Sequence, residues 1–179
     1  TFSVTDKMKK MAEKFGLPYE ITKVGFKYIA EIMTKEDVLV GGEESGGLAV
    51  KGHIPERDGI WMGLLVLEFM AKTGQTAKGL VQEVYEEVGA FAFDRDDLHI
   101  TEAQKQAVIA ACNSRSYNAF GSYKIIGVED LDGWKFLFGD DKWVMIRASG
   151  TEPVLRVYAQ APSLAETRVM LDAAKETIL

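Results

Sequence analysis

Apolar positions along this chain follow two rhythms, one of three to four residues and one of two. Met8, Met11, Ala12 and Phe15 recur at helical spacing and predict a helix from about Thr5 to Phe15, stopped by Gly16 and Pro18. Thr1 to Val4 is short and β-prone. Tyr19 to Val24 alternates as a strand does, Phe26, Ile29, Ala30 and Met33 share one helical face, and Val38-Leu39-Val40 is a short apolar strand. Strands alternating with helices predict a parallel sheet with crossover helices, and such sheets bind ligands beyond the carboxyl ends of their strands. From Ile60 to Met70 the chain is apolar around nearly its whole circumference, which predicts a helix buried on most sides, N-capped by Asp58 and ended by Thr73-Gly74. Leu80, Val81, Val84, Tyr85 and Val88 mark a further helix closed by Gly89.

The pattern changes character between Ala90 and Leu98, where a domain boundary is expected, giving domains 1–91 and 92–179. Thr101-x-x-Gln104 has the form of a capping box, and the helix it opens runs to about Cys112. Tyr123 to Val128, Trp134 to Phe138 and Lys142 to Ile146 read as short strands, parted by hairpin signals at Asp132-Gly133 and Gly139-Asp140-Asp141. Val154 to Tyr158 reads as a fourth strand. Ser163-x-x-Glu166 caps a last helix carrying Leu164, Leu171, Ala174 and Ile178. The fold class expected is therefore α/β, a partial three-layer domain with a parallel-type sheet, followed by a small α+β domain of antiparallel strands with helices on one face.

Composition narrows the function classes. With 179 residues, 47% of them hydrophobic, the chain has material for one large or two small cores. A net charge of -6 supplies no general basic field, so nucleic acid and anionic membranes are not expected partners. No apolar run is long enough to span a bilayer, and a cytoplasmic protein is expected. The one cysteine, Cys112, sits in an apolar helical pattern and reads as a buried, inert thiol. His53 and His99 are the only histidines, too far apart in sequence to suggest a metal site.

Two loops carry candidate chemistry. Arg147-Ala148-Ser149-Gly150-Thr151-Glu152-Pro153 lies between two strand-like runs and offers a guanidinium fork, two hydroxyls and glycine-opened backbone amides, a set that suits a phosphate dianion, with Arg156 as a second guanidinium. A polar hairpin loop is the plainer reading. In Gly41-Gly42-Glu43-Glu44-Ser45-Gly46-Gly47, Glu43 and Ser45 are suited to sugar hydroxyls, since a carboxylate accepts and a serine donates or accepts. Alone, that segment is a common kind of glycine-rich loop.

Taken together with Thr22-Lys23-Val24-Gly25-Phe26-Lys27 and His53-Ile54-Pro55-Glu56-Arg57-Asp58-Gly59-Ile60-Trp61, these loops resemble, in order, the C-terminal half of the α-D-phosphohexomutases, the phosphoglucomutase/phosphomannomutase family. The resemblance implies third and fourth domains of a four-domain enzyme built around a central cleft. It implies that Gly42, Glu43 and Ser45, with Arg57 beside them, hold hexose hydroxyls. It further implies that Arg147, Ser149, Gly150, Thr151 and Arg156 hold the phosphate not being transferred. Lys27 matches a substrate-facing lysine of the phosphoglucomutase branch and is a candidate for proton transfer or phosphate binding, against the plainer reading of a solvated helix lysine. For Asp58, helix capping is favoured over ligand contact.

The family's reaction interconverts hexose 1-phosphate and hexose 6-phosphate through a bisphosphate, with a phosphoserine and Mg2+. Neither the Thr-Ala-Ser-His-Asn-Pro type of serine loop nor the Asp-Gly-Asp-Gly-Asp-Arg metal loop occurs in this sequence. The chain is thus expected to be a substrate-binding fragment that needs no cofactor of its own and has no metal site, with Mg2+ belonging to the whole enzyme. It is expected to be inactive alone, with N-terminal domains of the same protein and a hexose phosphate as partners. Gly47, where phosphomannomutase-type members carry histidine, and Phe26-Lys27 point to glucose phosphates; mannose equivalents remain open. A non-catalytic sugar phosphate-binding or regulatory module, and a structural domain whose loops only cap strands, are the competing readings.

Overall fold

The computed structural model describes residues 1–149 and 152–179, which form two compact units, Thr1–Gly89 and Ala90–Leu179. The first unit runs α1 (Lys7–Lys14), α2 (Phe26–Met33), β1 (Val40–Gly42), β2 (Leu48–Val50), α3 (Gly59–Thr73) and α4 (Ala77–Val88). Its small core gathers Phe26 and Ile29 from α2 and Ala49 from β2. Local signals set the helix ends. Asp58 caps α3 by accepting from the Ile60 and Trp61 N–H groups, Gly74 closes it in the left-handed conformation at φ 69°, and the Thr76 hydroxyl caps α4. The buried Lys7 Nζ donates to the Val88 carbonyl at 2.9 Å, satisfying a carbonyl orphaned at the end of α4.

Three expectations for this unit change. Thr1–Val4 forms turns, and Tyr19–Val24 takes no regular secondary structure and joins no ladder; the Phe2 N–H donates to the Thr22 carbonyl at 2.8 Å. Alternation alone supplies only one strand, and a strand becomes a sheet only where a neighbour presents its own N–H and C=O groups. Among the described residues the strands of this unit pair only as an antiparallel hairpin, Val40 opposite Val50 and Gly42 opposite Leu48. The glycine-rich loop is accordingly a hairpin tip, not the carboxyl end of a parallel strand. Helix α3 contains no buried residue, with Ile60 81% and Leu67 61% exposed. An apolar circumference predicts burial only when other elements cover every side, and within this unit they do not.

The second unit holds β3 (Ala92–His99), α5 (Glu102–Asn113), β4 (Ala119–Phe120), β5 (Tyr123–Lys124), β6 (Gly127–Glu129), β7 (Trp134–Gly139), β8 (Lys142–Ala148), β9 (Val154–Ala161) and α6 (Leu164–Ile178). Five strands form one antiparallel sheet in the order β3-β9-β8-β7-β6, while β4 and β5 pair separately. The capping box at Thr101 and Gln104 is complete, and Ser163 Oγ accepts from the Glu166 N–H. Val144, Ile146, Leu155 and Val157 from the sheet pack with Met170 and Leu171 from α6 in one buried core. Cys112 lies in that core with no exposure, and burial pushes its thiol up to about 12, out of reach of thiolate chemistry at neutral pH.

The four-strand expectation falls one strand short, because β3 occupies the stretch read as a change of pattern. Asp94, Arg95, Asp96 and Asp97 hide its strand character, and charge of this kind suits an edge strand that must not recruit a further chain. Arg168 of α6 donates to Asp94 at 3.0 Å and to Asp96 at 2.9 Å, fixing this edge to the helix. The run Tyr123–Val128 also divides, between β5 and β6.

Candidate functional site

The phosphate-type loop joins β8 to β9, and the register of these strands decides what it presents. Arg147 lies directly opposite Arg156, so both side chains leave the sheet on the same face. Like charges facing each other across a ladder are unfavourable unless something anionic lies with them. Arg147 has Asp132, whose Oδ2 accepts from Nε at 3.3 Å. Arg156 Nε is buried with no hydrogen-bond partner among the described residues. Ser149 is 8% exposed; its N–H donates to the Val154 carbonyl at 2.9 Å and its Oγ accepts from the Glu152 N–H at 3.3 Å. These bonds shape the loop from inside. Gly150 and Thr151, the other two expected phosphate ligands, lie outside the described residues.

In the first unit, the β1–β2 hairpin tip brings Glu43 and Arg57 together. The Glu43 N–H donates to the Gly47 carbonyl at 2.9 Å and the Gly46 N–H to the Glu43 carbonyl at 3.1 Å, with Gly46 at φ 86° closing the turn. The Glu43 side chain is 8% exposed and accepts from Arg57 Nη1 at 3.2 Å; the same guanidinium lies 5.3 Å from the Phe26 ring centroid. Gly42 ends β1, Ser45 is exposed at the tip, and Ser3 Oγ donates to Glu44 Oε2 at 2.6 Å from behind. Lys27 is exposed on α2 with Nζ 4.9 Å from the Tyr28 ring centroid. Asp58 serves α3: the Trp61 N–H, and then His53, whose Nε2 is 2.8 Å from Oδ2, hold its carboxyl below the usual carboxylate range. The His53 ring stacks on Trp61 at 4.7 Å, joining this turn to the helix.

Gly47 has a specific packing task. A Cβ there would meet Arg57 Cδ at 2.5 Å. Because that atom belongs to a flexible side chain, Gly47→Ala is expected to move Arg57 off Glu43 while changing stability by less than about 1 kcal/mol. The Arg57 Nε–H resonance in NMR checks this; if it stays where it was, the close approach is not what holds Arg57 in place.

Sequence reasoning missed two residues of the arrangement. Asp132 reads as half of a turn signal, yet the β7–β8 register brings it beside Arg147. Lys105 reads as one more polar position of a helix, yet its buried Nζ reaches two carbonyls of the phosphate-type loop. Among the described residues no three His, Cys, Asp or Glu side chains gather as a metal site, and no helix is long and apolar enough to cross a membrane.

Comparisons with known proteins agree in both units. Residues 1–88 match the family model for phosphoglucomutase/phosphomannomutase, alpha/beta/alpha domain III, and residues 98–176 match that for the C-terminal domain of the same family. A phosphoglucomutase/phosphomannomutase of Thermococcus kodakarensis is 29% identical over 96% of this chain and 35% of its own length. A phosphoglucosamine mutase of Limosilactobacillus fermentum is 31% identical over 87% of this chain and 30% of its own length. The crystal structure of a putative phosphomannomutase from Thermus thermophilus superposes with a TM-score of 0.79 at 34% identity, covering 99% of this chain and 35% of that one. The chain thus spans about a third of the length of the relatives it matches. With an α/β unit and a small α+β unit matched in order to successive domains of one enzyme family, the chain belongs to the phosphoglucomutase/phosphomannomutase family.

Proposed function

We propose that this chain is the substrate-binding part of a hexose phosphate mutase. In this reading residues 1–91 and 92–179 serve as its third and fourth domains. Arg147, Ser149, Gly150, Thr151 and Arg156 hold the phosphate that is not being transferred, and Glu43 and Ser45, with Gly42 and Arg57, hold sugar hydroxyls. The observation that carries this reading is the pair of arginines opposed across β8 and β9, one of them with a buried N–H lacking a partner among the described residues. A phosphate oxygen satisfies that donor and removes the repulsion between the two guanidiniums in one step. Glu43, with one oxygen on Arg57, retains acceptor capacity for a hydroxyl.

The two loops then divide the work of a reaction in which the ligand is held in either of two orientations. The arginines grip whichever phosphate is idle. The carboxylate and serine accept a hexose from either end. Holding the ligand for in-line transfer lowers the barrier through orientation, while the nucleophile and the Mg2+ that offset developing charge are supplied from elsewhere in the enzyme. Lys27 is the candidate for proton transfer to the sugar. The covering of α3, whose apolar side chains stand exposed, falls in this reading to the preceding domains of such an enzyme. In this reading the hydroxyl grip takes positions that glucose and mannose share, and Gly47 with Phe26-Lys27 favours glucose.

Titration of the 179-residue chain with inorganic phosphate and then with glucose 1-phosphate, followed by backbone NMR, tests the proposal. Inorganic phosphate is expected to shift signals around 147–156, and glucose 1-phosphate to shift these and also residues 42–57, without conversion to glucose 6-phosphate. Silence at 147–156 with both ligands leaves only a structural loop, and measurable interconversion overturns the assignment as a binding part.

A further inference from the structure

Lys105 is a buried cation that the phosphate-binding reading does not use. It lies on α5 and is 8% exposed, and Lys is almost never buried without a partner because its ammonium loses water on burial. Its Nζ donates to the Ser149 carbonyl at 2.7 Å and to the Glu152 carbonyl at 3.0 Å, with the exposed Glu102 carboxylate at 3.7 Å. These two carbonyls belong to residues on either side of positions 150 and 151, so one ammonium ties both ends of the loop together.

We infer that Lys105 is a positioning residue for anion binding at Arg147, Ser149 and Arg156, an inference that rests on the phosphate-binding reading of those residues. Backbone carbonyls carry partial negative charge, so carbonyls turned towards an anion oppose its binding. Lys105 engages two of them from the side of α5. It also brings a cationic side chain to the Ser149 and Glu152 carbonyls at a buried position, with the exposed Glu102 carboxylate 3.7 Å away. The loop's base does not depend on this lysine, because the Ser149 N–H is held by the Val154 carbonyl at 2.9 Å and the Ile100 N–H donates to the Pro153 carbonyl at 3.2 Å. Helix α5 is anchored independently through buried Val108 and Cys112 and through its capping box.

The test measures phosphate affinity of the full chain by calorimetry for the natural protein, Lys105→Met, Lys105→Arg and Arg147→Ala. Methionine keeps the length of the stem and removes the charge and the donors; about a tenfold loss of affinity is expected, with a shallower dependence on ionic strength. Arginine, which keeps the charge and donates to carbonyls, is expected to recover most of the loss. A lowered melting temperature with unchanged affinity in Lys105→Met makes the lysine purely structural and overturns the inference. If Lys105→Met does not fold, the Lys105 side-chain 15N resonance in the natural protein decides: it is expected to shift on adding inorganic phosphate, and constancy at saturation rejects the role. Absence of any phosphate response in the natural protein defeats the loop assignment and this inference with it, whereas a response that Arg147→Ala abolishes and Lys105→Met leaves intact defeats this inference alone.

Discussion

Arg147→Ala is expected to weaken binding of inorganic phosphate and of glucose 1-phosphate by roughly ten- to a hundredfold, the loss of one charge-assisted contact worth about 1.5–3 kcal/mol. The same change is expected to leave stability within about 1 kcal/mol of the natural chain. It removes the ion pair with Asp132, but it also relieves Arg156 of a like charge directly opposite. Loss of binding without loss of fold is therefore the signature of a ligand-holding arginine. Arg147→Lys is expected to recover only part of the affinity, since an ammonium keeps the charge and loses the planar fork. Calorimetric titration beside a thermal melt separates these outcomes, and equal phosphate affinity in Arg147→Ala and the natural chain would remove the clamp from the proposal.

Phe136→Ala is expected to be the most damaging substitution to the fold, lowering the stability of the second unit by about 3–5 kcal/mol. Phe136 has no exposure, meets Phe120 edge-on at 5.0 Å and Tyr117 at 6.2 Å, and stands on a sheet whose neighbours cannot all close over the space it leaves. Urea unfolding measures the loss, followed by the fluorescence of Trp134 and Trp143 for the second unit and of Trp61 for the first. Phe69→Ala in α3 is the control: this ring is 51% exposed, and a change below about 1 kcal/mol is expected. If the two substitutions proved equally harmful, burial would not be what distinguishes these two rings.

The arrangement of the candidate site was only partly open to sequence reasoning. Arg147, Ser149 and Arg156 are recognisable as chemistry because a phosphate-type loop is local, its residues adjacent along the chain. That Arg147 and Arg156 stand opposite each other is a matter of register, which follows from pairing β8 with β9. Asp132 and Lys105 escaped notice for the same reason. One sits 15 residues from Arg147 and the other 44 from Ser149, and no local pattern distinguishes an aspartate in a turn, or a lysine on a helix, that reaches across the fold. Charge likewise concealed β3, whose carboxylates answer to Arg168 on the last helix of the chain.

What the amino-acid order by itself determined are the features written within a few residues: the Asp58, Thr101 and Ser163 caps, the stop at Gly74, the turns at Gly133 and Gly139, and the family to which the two loops belong. Caps and turns are satisfied by neighbours three or four positions away, so their energetics are complete before any tertiary contact forms. Tertiary structure alone decided the edge position of β3, the exposure of α3, the hairpin that carries Glu43, and the convergence of Lys105 on the loop after β8. Each of these depends on which distant segment supplies a hydrogen-bond partner or a covering surface, and that is settled only when the whole chain competes for the same partners.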